Sequence, residues 1–192
     1  TLFPALIRDW RRLWGLDEAP FLFVQLPKYA RPMNHPSRGR TADLRESQEA
    51  ALSLPDTGMA VTLDLGEADD IHPNNKRDVG LRLSRMALNR VYRLAREDCG
   101  PQYVGMSVLG NRILVRLSHA DGLHARGEVE GFEVGGKDGQ FHSARACIEA
   151  ATVIVESSEV PEPIAVRYAW SDCPPHPLYN SAGLAAAPFR SE

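Results

Sequence analysis

At Gly100-Pro101 the chain changes its hydrophobic period, and no other feature restricts its possible folds as strongly. Ahead of that dipeptide, apolar residues recur at helical spacing or stand in short continuous runs. Beyond it, short segments alternate apolar and polar residues between turn signals. The two patterns ask for different architectures, so a boundary is expected near residue 99, giving regions of about 1–99 and 100–192.

In the first region, Leu2, Leu6, Trp10, Leu13 and Trp14 fall at helical spacing with Arg8, Asp9, Arg11 and Arg12 between them. This predicts an amphipathic surface helix that stops at Gly15. Phe21 to Leu26 is a near-continuous apolar run between Pro20 and Pro27, which fits a strand buried on both faces. Residues 27–42 read as a long loop at that strand's carboxyl end, and Thr41 or Asp43 is placed to cap a helix running to about Leu54. A turn at Pro55-Asp56-Thr57-Gly58 then leads into a second strand over 59–66.

A helix from Asn75 to Arg96 follows, with Val79, Leu83, Met86, Ala87, Val91 and Leu94 on one face. Arg77, Arg82, Arg85, Arg90, Arg93 and Arg96 make the other, read as a solvated outer face. Helix, strand, helix, strand, helix with short turns argues for an open α/β sheet whose ligand site lies beyond the strands' carboxyl ends.

In the second region the segments 103–109, 111–117, 129–134, 144–148, 151–156 and 163–169 predict an antiparallel sandwich or barrel-like module, with an irregular tail from Ser171. Gly105, Gly110 and Gly135-Gly136 are not followed by the Lys-Ser/Thr pair of a phosphate loop and read as hairpin turns. Tyr168, Trp170, Tyr179 and Phe189 offer either a sugar-stacking surface or tail packing.

Asp69-Asp70-Ile71-His72-Pro73 carries the clearest chemical signal. It ends an apolar strand-like run and opens a helix pattern, a turn where a histidine with a carboxylate two or three residues before it can act as a general base. Asp69 has the Asp-x-x-His spacing of many lipase-like hydrolases. Asp70 is closer and competes for that role or caps the following helix, so both carboxylates are candidates. The plain alternative is a His-Pro helix start with acidic residues in its first turn. Asp69, Asp70 and His72 together are a poor metal set, and His35, His119, His124, His142 and His176 show no i, i+4 zinc spacing, so no metal is expected. No serine or cysteine stands in a nucleophile motif.

A net charge of −3 gives no electrostatic reason to expect nucleic acid or an anionic membrane as partner. No apolar stretch reaches the roughly 20 residues of a membrane span. Cys99, Cys147 and Cys173 have neither zinc spacing nor disulfide-scaffold density and are expected to pack as small apolar residues. The amino terminus lacks an initiator methionine and a signal-peptide layout, which raises the expectation that polypeptide has been removed upstream.

Taken together, the blocks Leu2-Phe3-Pro4-Ala5-Leu6-Ile7-Arg8-Asp9-Trp10-Arg11, Pro20-Phe21-Leu22-Phe23-Val24-Gln25-Leu26, Leu54-Pro55-Asp56-Thr57-Gly58-Met59-Ala60-Val61 and Asp70-Ile71-His72-Pro73 resemble the sialate O-acetylesterase family. The likeness continues through Gly131-Phe132-Glu133, Ala165-Val166-Arg167-Tyr168-Ala169-Trp170, Leu178-Tyr179-Asn180 and Pro188-Phe189-Arg190. It implies part of a flavodoxin-like SGNH (GDSL-type) hydrolase core followed by a β-sandwich-like accessory module.

By that resemblance the activity is hydrolysis of acetyl esters on a carbohydrate through an acyl-enzyme, with His72 as base and no cofactor. The implied partner is an amino-terminal portion of the same protein carrying the nucleophilic serine and the oxyanion-hole Gly and Asn donors. In that family the residue three before the histidine varies more than a strict Asp-x-x-His rule allows, which keeps Asp70 a candidate. Secretion, or a periplasmic or lysosomal location, is implied by the same likeness. The rivals are an acetylated plant polysaccharide as substrate and, from another class, a carbohydrate-binding or structural subunit without catalysis.

Overall fold

The computed structural model describes residues 2–29 and 40–191. Most of the expected 27–42 loop, His35 included, lies outside the described residues.

The chain is mixed α/β. Helix α1 (Leu2–Trp14) leads to β1 (Phe21–Val24), and α2 (Arg40–Glu49) with a tight 3-10 turn over Ala50–Ser53 leads to β2 (Thr57–Ala60). β1 and β2 pair in parallel, Phe21 opposite Thr57 and Val24 opposite Ala60. Because side chains alternate along a strand, Phe21, Phe23 and Met59 share one face, and Leu22, Val24, Gly58 and Ala60 the other. Phe3 of α1 meets Phe21 and Phe23 edge-on, with centroids 6.1 and 4.8 Å away, and Ile7 joins Phe23, Ala51 and Met59 in a small core. On the opposite face α3 (Lys76–Met86) packs so closely that a Cβ at Gly58 would stand 2.3 Å from Met86 Sδ. Only glycine allows that approach.

Several expectations are corrected. α1 is a helix, but its buried residues are Pro4, Ile7 and Arg11, while Leu2, Leu6, Trp10, Leu13 and Trp14 are exposed. Arg11 is drawn inward because its guanidinium donates to the carbonyls of Ala19, Pro55 and Asp56. The second strand is 57–60 and not 59–66, because Thr62 bonds back to the Gln25 carbonyl and the chain turns over Thr62–Leu65. α3 begins at Lys76 with Asn75 as its cap, accepting from the Asp78 N–H, so Pro73 is outside its first turn and Asp70 does not cap it.

The helix also stops early. After Met86 the chain makes a wider π turn over Ala87–Val91 and leaves the helical path, leaving Val91 and Leu94 exposed. Arg90 is tied to Asp98 and to the Thr57 carbonyl, which holds this exit against β2. Arg82 is not on a solvated face: it is buried in a bidentate pair with Asp64 and also donates to the Val61 carbonyl.

From residue 102 the structure is antiparallel. β3 (Gln102–Leu109), β4 (Arg112–Ser118), β7 (Arg145–Glu149) and β8 (Thr152–Glu156) form one four-stranded sheet in the order β3-β4-β8-β7. β5 (Phe132–Gly135), β6 (Phe141–Ser143), β9 (Ala165–Tyr168) and β10 (Phe189–Arg190) form another in the order β10-β9-β5-β6. Inward residues of both, among them Ile113, Val115, Val153, Val155, Phe132, Val134, Val166 and Phe189, make one continuous core. Gly105 sits inside β3 at a bulge and Gly135 inside β5, so neither is a hairpin turn; Gly110 is, with φ of 61°.

The tail after Ser171 is mostly irregular yet well packed, with Leu178, Tyr179, Asn180 and residues 184–187 buried. Tyr168, Trp170, Tyr179 and Phe189 are all buried too, so they belong to packing and present no stacking surface. Among the three thiols only Cys99 is buried; Cys147 is exposed and Cys173 intermediate. No helix of the described residues is long and apolar enough to cross a membrane.

Candidate functional site

The carboxyl ends of β1 and β2 are fastened together. The Gln25 N–H donates to the Ala60 carbonyl, Thr62 Oγ1 donates to the Gln25 carbonyl, and Gly66 lies so near Lys28 that a Cβ there would come within 2.5 Å of the Lys28 carbonyl. The Asp64–Arg82 pair, with both contacts at 2.6 Å, anchors the turn to α3. The following segment projects outward from this anchored base, at the end of a parallel sheet where α/β ligand sites lie.

His72 is at its tip, with 83% of its side chain exposed. Asp70 reaches it twice: Oδ1 accepts from the His72 backbone N–H at 2.8 Å and stands 3.2 Å from His72 Nδ1. The backbone donor of His72 first, opposed by desolvation and then aided by the ring and Lys76, holds the Asp70 carboxyl below the usual carboxylate range. Asp70 is therefore an acceptor that fixes Nδ1 as the protonated nitrogen and leaves Nε2 pointing away from it. Asp69 makes no hydrogen bond or ion pair among the described residues. Asn74 Nδ2 donates to Glu67 at 2.8 Å and closes the turn from its other side.

Among the described residues, the structure thus brings Asp70 to His72 and does not bring Asp69. Among the described residues, no serine or cysteine is hydrogen-bonded to the ring, whose partner is Asp70. Cys99 is distant from this role: burial, with Asp98 and Glu97 adding to it, pushes its thiol up to about 12, so it is no ready nucleophile. A second feature escaped sequence reasoning. Gln25, immediately after β1, has a fully buried side-chain amide with no hydrogen-bond partner among the described residues. Its position in an apolar strand run was the only signal.

The fold and this turn define a mixed α/β unit that presents a solvent-facing histidine–carboxylate pair, backed by an antiparallel sandwich. Over 99% of its length the chain is similar to a carbohydrate acetylesterase from Xanthomonas citri, at 39% identity and a TM-score of 0.92. It spans 45% of that protein's chain. No protein-family model matches the chain, and no curated protein matches it either.

Proposed function

We propose that this chain is the histidine-bearing portion of a carbohydrate O-acetylesterase. The carrying observation is the likeness, over 99% of this chain, to part of a carbohydrate acetylesterase, together with the His72–Asp70 pair at the strand ends. In this reading His72, oriented by Asp70 through Nδ1, takes the proton of a serine hydroxyl with Nε2. The serine attacks the acetyl carbonyl, the sugar alcohol leaves with that proton, and water then releases acetate by the same relay. The serine and the oxyanion donors belong to polypeptide beyond this chain, in an SGNH-type core that the β1–β2 unit completes. The outward apolar stripe of α1 supports this, since Leu2, Leu13 and Trp14 need a partner surface.

O-acetylated sialic acid is the proposed substrate, with acetylated plant polysaccharide as the competing acceptor. Acetate release from both, and from an aryl acetate, by the complete polypeptide separates them. His72→Ala should lower kcat by about 10³-fold or more. Asp70→Asn should cost more than Asp69→Asn; the reverse order assigns the orienting role to Asp69. Undiminished turnover in His72→Ala would overturn the proposal, and glycan binding with no hydrolysis would make the module a binding subunit.

A further inference from the structure

The segment that carries the chain out of the α/β unit and the end of the first sandwich hairpin meet at three side chains of different chemistry. Glu97 and Cys99 lie just ahead of β3, and His119 directly follows β4. The β3–β4 register pairs Gln102 with Ser118, so its continuation brings His119 opposite Pro101, within reach of both. One donor atom from each of the three residues lies within 4.8 Å of the others. We propose that Glu97, Cys99 and His119 form a structural site for a borderline transition-metal dication of the zinc class, with solvent as the fourth ligand.

The spacing fits. With metal–ligand bonds of about 2.3 Å to sulfur and about 2.0 Å to nitrogen and oxygen, tetrahedral geometry sets donors apart by about 3.5 Å for S···O and about 3.3 Å for N···O. Glu97 Oε1 stands 3.8 Å from Cys99 Sγ and 2.8 Å from His119 Nδ1. The two contacts of Glu97 thus lie within about half an ångström of the tetrahedral spacings, and the sulfur and the imidazole nitrogen, no more than 4.8 Å apart, close on one ion by side-chain rotation.

The backbone is held in place for this. A single buried amide, Asn180 Nδ2, donates to the carbonyls of both Cys99 and His119, at 3.0 and 3.1 Å. Gly100 is pressed so tightly on the tail that a Cβ would meet the Ala185 carbonyl oxygen at 1.9 Å. Two ligand-bearing segments are therefore pinned side by side before any ion arrives, which reduces the ordering cost of binding.

Charge and access also agree. On binding, the S–H bond of Cys99 gives way to an S–metal bond and its proton leaves to solvent; thiolate and carboxylate together neutralise the dication, and His119 binds neutral. Asp98 is already matched by Arg90 and is not needed. Cys99 is buried at the back, while Glu97 and His119 are partly exposed at the mouth, leaving an entry path and room for water. A soft sulfur beside nitrogen and oxygen selects zinc or cobalt over magnesium or calcium.

The test is titration of the reduced protein with Co²⁺ and Zn²⁺. The expected result is one equivalent bound, with a near-ultraviolet thiolate-to-cobalt charge-transfer band that Cys99→Ser abolishes and Cys147→Ser leaves intact. Since Cys99→Ser disturbs a buried position, His119→Asn provides a second reading. His119 has φ of 51°, which asparagine tolerates, and its loss should weaken Zn²⁺ binding by about tenfold or more. No charge-transfer band in the parent protein, a band that survives Cys99→Ser, or unchanged Zn²⁺ affinity in His119→Asn would each overturn the site.

Discussion

The sandwich and the parallel unit ahead of it are drawn from similar residues and differ in what they bury. Among the described residues, the sandwich core joins seventeen buried residues, whereas the cluster between α1 and the β1–β2 pair has four, Ile7, Phe23, Ala51 and Met59. Two sheets facing each other give every inward position an apolar neighbour on the other side. A two-stranded sheet has few inward positions to offer, and here the helix over it turns its largest apolar residues outward.

The weaker unit leans on the stronger. Leu63 belongs to the sandwich core and Val61 touches both clusters. Arg190 pairs with Glu46, and Arg85 donates to the Ala182 carbonyl. The lesson is that a unit with a small core of its own borrows rigidity through polar stitches as well as apolar contact.

Changes at three places probe this contrast. The largest effect is expected in the sandwich, where the Glu133 carboxylate accepts from Arg167 in a buried pair. Glu133→Ala strands that guanidinium and should destabilise the chain by about 3–5 kcal/mol in urea unfolding. A cost under about 1 kcal/mol would mean that solvent reaches Arg167 and that this core is less closed than described.

Next comes Glu49, at the end of α2, where burial first and Glu46 second raise the carboxyl from 4.5 to about 7. An acid raised by folding keeps its proton while the unfolded chain loses it, so stability falls as pH rises from about 4.5 to 7. Glu49→Gln should therefore match the parent at pH near 4 and exceed it at pH near 8 by up to about 3 kcal/mol. An equal gain at both pH values would remove ionisation as the cause.

The smallest effect belongs to α1. Leu13→Ser and Trp14→Ser alter exposed side chains and should move the stability of this chain by less than about 0.5 kcal/mol. On the proposed reading, the same changes cost more than about 1 kcal/mol in the complete polypeptide, where the stripe is covered. Equal, negligible effects in both would leave the stripe without a partner.

Much of the architecture was legible because it rests on local pattern. The Phe21–Leu26 run, bounded by prolines, marked a strand covered on both faces, and alternation after Gly100-Pro101 located most of the antiparallel strands. The short β6 and two-residue β10 have too little pattern to stand out. Two of the errors share a cause: an arginine's charge says nothing about its partner. Arg11 and Arg82 are buried because carbonyls or a carboxylate from distant segments receive them, where helical periodicity alone points each to solvent, and Arg45 is buried against carbonyls in the same way. The His72–Asp70 contact was within local reach, since only Ile71 separates them. Glu97, Cys99 and His119 were not, because only the β3–β4 register brings them together.

Arg45 has one further consequence. Its guanidinium is fully buried and donates to the carbonyls of Leu26, Pro27, Ser171 and Asp172, while desolvation, eased by Asp172 and Cys173, lowers its pKa to about 10. Two of those acceptors follow it in the chain by 126 and 127 residues. At typical translation speeds, on the order of ten seconds separate the emergence of Arg45 from that of its last acceptors. During that interval the exit of β1 cannot close in its final form, so the segment beside the histidine turn matures only once Ser171 and Asp172 have left the ribosome.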